Sequence, residues 1–321
     1  MNKLSLIALT ALAFAQATPV FAQTAEPKPL PALVSPKATQ GLLLGLAAAG
    51  TSRIAVGGNG VILRAVDGKD FKQVASPVDS TLTGLAFADA SDGWAVGHDG
   101  AILHSADGGA TWALQNWQPE QNAPLFAVLP LSAQEIITVG AFGTIKTSAD
   151  GGKTWVDVDA PTITGEKNHL NAIARLHDGR MAVVGERGLV GLSSDGREWQ
   201  RIALPYEGSL FGVLPLGERG AAVFGMRGNV YVSDAPETGQ WTKVETGTTS
   251  SLFAGALLGE DIILVGADGA ILRISGSQRK TSVINVKGMN RDQVFAAIQM
   301  NSNLMIVGGD KGVLKLTLPR Q

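Results

Sequence analysis

Val96-Gly97-His98-Asp99-Gly100-Ala101-Ile102-Leu103-His104-Ser105-Ala106-Asp107-Gly108-Gly109-Ala110-Thr111-Trp112 is the stretch of this 321-residue chain whose reading decides the fold. It holds an apolar run, a Gly-x-x-Gly turn, a second apolar run and then Ser-x-Asp-x-Gly-x-Thr-Trp. Two residues between paired apolar runs read as a tight hairpin, with glycine supplying the positive φ that such turns require. In the second half, Asp can accept backbone N–H groups within a turn, and Trp can anchor the next strand by burying a large ring. A phosphate-cradling reading of the glycines is disfavoured, because such a site needs a helix after the loop and here a strand follows.

The hairpin recurs along the chain with opening glycines Gly57, Gly97, Gly140, Gly185, Gly225, Gly266 and Gly309, at intervals of 40, 43, 45, 40, 41 and 43 residues. The closing glycines are Gly60, Gly100, Gly143, Gly188, Gly228, Gly269 and Gly312. A period in the forties, built from short strands and turns, predicts propeller blades, each a four-stranded antiparallel sheet. A helical solenoid is disfavoured, because no segment beyond the N-terminus sustains a helical period. Upstream of the hairpins lie further apolar runs, clearest in Pro124-Leu125-Phe126-Ala127-Val128-Leu129, Ser209-Leu210-Phe211-Gly212-Val213-Leu214 and Ser251-Leu252-Phe253-Ala254-Gly255-Ala256. Near-continuous apolarity with small residues suits the innermost strand, which neighbouring blades cover on both faces. The fold class is therefore all-β, a seven-bladed propeller over residues 41–321. The last unit has only three strands, so the segment around Leu30 to Val34 is expected to supply the fourth and close the ring, its prolines suiting an edge strand.

The unit V-G-x-x-G-x-I-L-x-S-x-D-G-G-x-T-W, nearly whole from Val96 to Trp112 and recognisable from Val139 to Trp155, resembles the photosystem II stability and assembly factor family, with its Asp-box (BNR) repeats. The resemblance runs from about Gly41 to Leu318. Gly185-Glu186-Arg187-Gly188 and Gly225-Met226-Arg227-Gly228 look like versions from non-photosynthetic bacteria, and the chain also resembles relatives encoded beside resistance-nodulation-division exporters. It departs from the family pattern in worn Asp-boxes around Ser194, Ser233 and Ser275. The resemblance implies a non-catalytic propeller that holds a membrane-protein partner during assembly; a photosynthetic role does not follow from it.

At the N-terminus, Lys3, an apolar run from Leu4 to Ala17 and Val20-Phe21-Ala22 have the layout of a secretory signal peptide, cleaved after Ala22. The run is shorter than the roughly 20 residues a membrane span needs, and Pro19 interrupts it. Residues 1–22 are thus expected to be removed, residues 23–40 to form an extended lead-in, and the mature chain to be periplasmic, free of membrane insertion and monomeric. The absence of cysteine from the sequence removes disulfides, thiolate metal sites and cysteine nucleophiles together. The formal charge of −2 becomes −3 without Lys3 (25 basic minus 28 acidic), and there is no basic stripe for nucleic acid.

In a propeller the hairpin between the second and third strands emerges on one face, so the residues inside the glycine pairs form a ring there. They are Gly58-Asn59, His98-Asp99, Ala141-Phe142, Glu186-Arg187, Met226-Arg227, Ala267-Asp268 and Asp310-Lys311. Aromatic, Met and Arg side chains are enriched at interfaces. The predicted partner-binding residues are accordingly Phe142, Glu186, Arg187, Met226 and Arg227, with Lys167 from the long connection Asp157 to Asn168, which also carries Glu166 and leads to His169. The partner class is a membrane-protein complex or its periplasmic domain.

The alternative is a sialidase-like glycosidase, since sialidases use a Tyr nucleophile. Only Tyr206 and Tyr231 are available. Glu207 adjoins Tyr206, where a strand would point it to the opposite face. Arg175 is the one arginine found on an innermost strand. His98, His104, His169 and His177 show no paired spacing of a zinc site, and no G-x-S-x-G elbow occurs. No catalytic residue, metal or cofactor is therefore expected.

Overall fold

The computed structural model describes residues 28–285, 293–301 and 304–317. The signal peptide and its cleavage site after Ala22 lie outside the described residues. Seven antiparallel sheets follow one another in sequence, each begun by its innermost strand: Leu43–Ala49, Leu82–Phe87, Leu125–Pro130, Leu170–Arg175, Leu210–Leu216, Leu252–Leu258 and Phe295–Asn301. Each innermost strand packs against the next, and the seventh packs against the first, so the sheets close into a ring as blades 1 to 7. Six blades have four strands; the described residues of blade 7 give three. Among the described residues no helix is long and apolar enough to cross a membrane.

Apolar side chains alternate across each strand and meet those of the neighbouring blade, so the core is a set of layers between blades. Between blades 3 and 4, for example, Ile137, Val139 and Ile145 pack with Met181, Val183 and Trp199. The innermost and second strands carry most of this burial, and the outer strands are short and exposed, as at Val156–Asp157.

The two glycines of a pair have different reasons to be glycine. Opening Gly57 is extended at φ −175°, a conformation open to any residue, but a Cβ there would stand 1.9 Å from the Leu42 carbonyl oxygen. Closing Gly60 does have positive φ, at 67°. The expectation that both glycines serve positive φ is thus half right: the opening one is set by close approach to the chain entering the innermost strand. Positive φ extends instead to the residue before the closing glycine: Asn59, Asp99, Phe142, Arg187, Arg227 and Asp268 lie between 54° and 58°.

The expected closing strand needs relocating. Residues 30–34 form no strand with blade 7; Ala32 donates its N–H to the Ser76 oxygen at 3.1 Å, and the Gln73 amide joins Leu33 and Ser35, all along the outer edge of blade 1. The N-terminal segment meets blade 7 slightly later, where the turn Ala38–Gln40 packs against Gly312–Thr317. There the Thr39 carbonyl fills the slot beside closing Gly312 that the Val78 carbonyl fills beside Gly60. Proline within residues 29–36 withholds N–H groups, which leaves only isolated bonds in place of a ladder.

Candidate functional site

Antiparallel order puts the Gly-x-x-Gly turns and the connections entering each innermost strand on one face, and the Asp-boxes on the other. On the Asp-box face the carboxylates are consumed by their own turns. Asp107 accepts from the Ser105 hydroxyl, the Ala110 and Thr111 amides and the Thr111 hydroxyl, at 2.6 to 3.0 Å. Burial pushes its pKa up, but these bonds outweigh that and hold it at about 2. Asp150 repeats the arrangement with Thr154 and Ser148, whose bonds also bring it to about 2. In blade 4 the box serine is Ser193 rather than Ser194, and Asp195 accepts the Arg197 and Glu198 amides at 2.9 Å.

The worn boxes are held from elsewhere. In blade 5, Glu237 bonds Arg180 of blade 4 and Arg219. In blade 6, Asp261 crosses from the neighbouring hairpin to accept the Gly276 amide at 2.9 Å and pair with Arg273.

The opposite face collects the predicted binding residues in blades 3 to 5. Phe142, at the tip of blade 3, is 55% exposed and sets its ring edge-on to His169, with centroids 5.1 Å apart. Glu186, at the tip of blade 4, accepts the His169 N–H at 2.9 Å, and its other oxygen lies 3.9 Å from the His169 ring nitrogen Nδ1. Thus Phe142 and Glu186 converge on His169, a residue the sequence placed only at the margin. The expected reach of the long connection is also met: its short helix Pro161–Thr164 packs against the blade 3 turn, and Lys167 follows at φ 54°.

Met226 and Arg227 form the tip of blade 5. The Tyr206 hydroxyl donates to the Met226 carbonyl at 3.0 Å, and Asn229 donates there too. Burial raises the Tyr206 pKa, so the phenol keeps the proton that makes it a strut for this turn. The Tyr231 ring is tilted against it at a centroid distance of 5.7 Å and its hydroxyl donates to the Pro205 carbonyl, so both tyrosines bond main chain rather than a carboxylate partner. No hydrogen bond or ion pair among the described residues joins the blade 4 tip to the blade 5 tip; Arg187 and Arg227 stand apart as separate exposed cations. Nor do the described residues hold any group of three His, Asp or Glu placed to bind a metal.

Sequence reasoning missed a third tier beneath the tips. Every innermost strand has a register shift at its second residue, and the residues displaced there are Leu44, Thr83, Phe126, Asn171, Phe211, Phe253 and Ala296. Bulges re-aim side chains. The signal was present as the repeated Leu-Phe of three innermost strands, but period-two alternation gives no warning of a shift.

Residues 54–317 match the family of the photosynthesis system II assembly factor YCF48. No curated protein matches the chain. A solved structure of YCF48 bound to D1 peptide superposes with a TM-score of 0.71 at 18% identity, covering 93% of this chain and 100% of that one. YCF48 from Cyanidioschyzon merolae gives 0.71 at 16% identity, with coverages of 88% and 96%. Virginiamycin B lyase from Staphylococcus aureus gives 0.74 at 13% identity, with coverages of 90% and 98%. Identities this low show the propeller fold and nothing about what is bound.

Proposed function

This chain belongs to the photosynthesis system II assembly factor YCF48 family, and from that premise we propose that it is an exported, non-catalytic binding factor. It works in the periplasm and holds an exposed segment of a membrane-protein complex against the Gly-x-x-Gly face of blades 3 to 5. One solved relative is bound to a D1 peptide, which supports a peptide-holding role on this fold. The resemblance to relatives encoded beside resistance-nodulation-division exporters makes such an exporter the leading partner, and a photosystem-like complex the second.

The observation that carries the reading is conformational. Blades 1, 2 and 6 place Asn59, Asp99 and Asp268 at the left-handed tip position, the residue types that tolerate it. Blades 3, 4 and 5 place Phe142, Arg187 and Arg227 there, at φ 54° to 58°. An unfavourable backbone position kept by large side chains in three consecutive blades points to function, because Asn or Gly would relieve it. Phe and Arg are also the side chains that anchor interfaces. The test is recovery of a defined membrane complex from detergent-solubilised membranes on the immobilised mature protein. Fractionation of cells that express the full chain is its companion, and a cytoplasmic, full-length product would refute export.

A further inference from the structure

The displaced residues of the innermost strands behave as a belt. Each is half-buried and follows a buried residue, Leu43, Leu82, Leu125, Leu170, Leu210, Leu252 or Phe295. Four consecutive members reach round the axis to the next blade. The Thr83 hydroxyl donates to the Leu125 carbonyl at 2.6 Å, and the Phe126 ring lies 5.6 Å from His169. The Asn171 amide donates to the Leu210 carbonyl at 2.8 Å, and Phe211 lies 5.2 Å from Phe253. The two polar members are therefore consumed by main-chain bonds, and the aromatic members are left as half-covered apolar surface at the axial mouth. It lies on the same face as Phe142, since the shift occurs where each strand begins, beside the Gly-x-x-Gly turn.

Several acids of this face are engaged locally. Glu166 is bonded to Asn168 and Glu186 to the His169 amide, while Asp99 and Asp268 accept from Ser80 and Ser250. Lys167, Arg187 and Arg227 meet no carboxylate among the described residues, while Glu120, Glu207 and Glu245 are exposed in the connections entering blades 3, 5 and 6, Glu207 with its Cα beside Gly188. We propose that the Phe211–Phe253 pair and the Phe126–His169 pair form an axial subsite for one large apolar side chain of an acidic, extended peptide. The cations would hold the flanking carboxylates, and the belt would select the central residue. This rests on the binding face proposed above and adds what that face selects.

The test uses two fluorescein-labelled decapeptides of alternating Gly and Asp, one with a central Phe and one with Ser in its place. Fluorescence anisotropy with the folded mature protein should give at least roughly tenfold tighter binding of the Phe peptide, the effect of burying one aromatic side chain. In the double variant Phe211→Ala, Phe253→Ala the ratio should fall towards one while the Ser peptide binds as before. Equal binding of both peptides by the unaltered protein overturns the subsite and leaves the cationic face standing. Retained discrimination in the double variant also overturns it. If neither peptide binds, or if Arg187→Ala with Arg227→Ala changes nothing, the face itself is wrong. The wild-type comparison needs no variant, so it decides even if the double variant fails to fold.

Discussion

At Asp107 and Asp150 both carboxylate oxygens are filled by donors from the same turn, whereas Arg187 and Arg227, on the opposite face, meet no acid at all among the described residues. The two faces are made by the same seven repeats and both engage carboxylates locally, yet the second leaves the tip arginines Arg187 and Arg227 without an acid among the described residues. The worn Asp-boxes sharpen the contrast. Where blades 5 and 6 lost the box aspartate, Glu237 within the blade 5 turn draws in Arg180 and Arg219 from outside it, and Asp261 reaches the blade 6 turn from the neighbouring hairpin, so these two worn turns still engage a carboxylate. Nothing comparable among the described residues neutralises Arg187 and Arg227, although Lys311 at the blade 7 tip has Asp310 at 3.6 Å. Polar groups engaged within their own turn contribute to stability, while unengaged ones are available to a partner.

The largest stability effect should come from the turns that shape the open face rather than from its exposed residues. A Cβ at Gly188 would stand 1.7 Å from the Tyr206 carbonyl oxygen, on a backbone at φ 66°. Gly188→Val should therefore cost about 3 kcal/mol or more, read as a large fall in melting temperature. A near-normal melt would show that blades 4 and 5 can part without penalty.

Next comes the closed face, through pH. Asp107 and Asp150 sit at about 2 in the fold against an ordinary 3.8. Depressed carboxylates contribute stability that is fully present above their unfolded pKa and is lost as pH falls through the folded value. The double variant Asp107→Asn, Asp150→Asn should thus melt below the wild type at neutral pH, with the gap closing between about pH 4 and pH 2. A gap that survives at pH 2 would assign the stability to something other than charge. These carboxylates are solvated, so the gap should be modest.

Smaller still is the difference among the box tryptophans. Trp199 donates its indole N–H to the Gly196 carbonyl at 3.1 Å, whereas the buried indole nitrogen of Trp155 has no acceptor. Trp199→Phe should cost about 1 kcal/mol more than Trp155→Phe, the net worth of one such bond. Equal costs would mean that ring burial alone anchors the outer strands.

The ring itself was legible because its determinants are local and repeated: glycine pairs at a period in the forties and alternating apolar runs leave few other architectures. The face carrying Phe142, Arg187 and Arg227 was legible for the same reason, since a turn between the second and third strands has one place to go. Two features were not. Leu30 to Val34 has the composition of an edge strand, but whether it pairs with blade 7 or blade 1 depends on neighbours far away in sequence. The belt of Phe126, Phe211 and Phe253 depends on a register shift, which turns side chains by one position without leaving a mark in the hydrophobic pattern.

The central claim is that Phe142, Arg187 and Arg227 occupy strained tips for the sake of a partner. It is tested most directly by one triple variant, Phe142→Asn, Arg187→Asn, Arg227→Asn, measured for melting temperature and for recovery of the membrane complex. Asn tolerates the left-handed backbone, and all three side chains lie at turn tips. The account predicts a melting temperature equal to or above that of the wild type together with loss of partner recovery. Full recovery by a stably folded triple variant would contradict it.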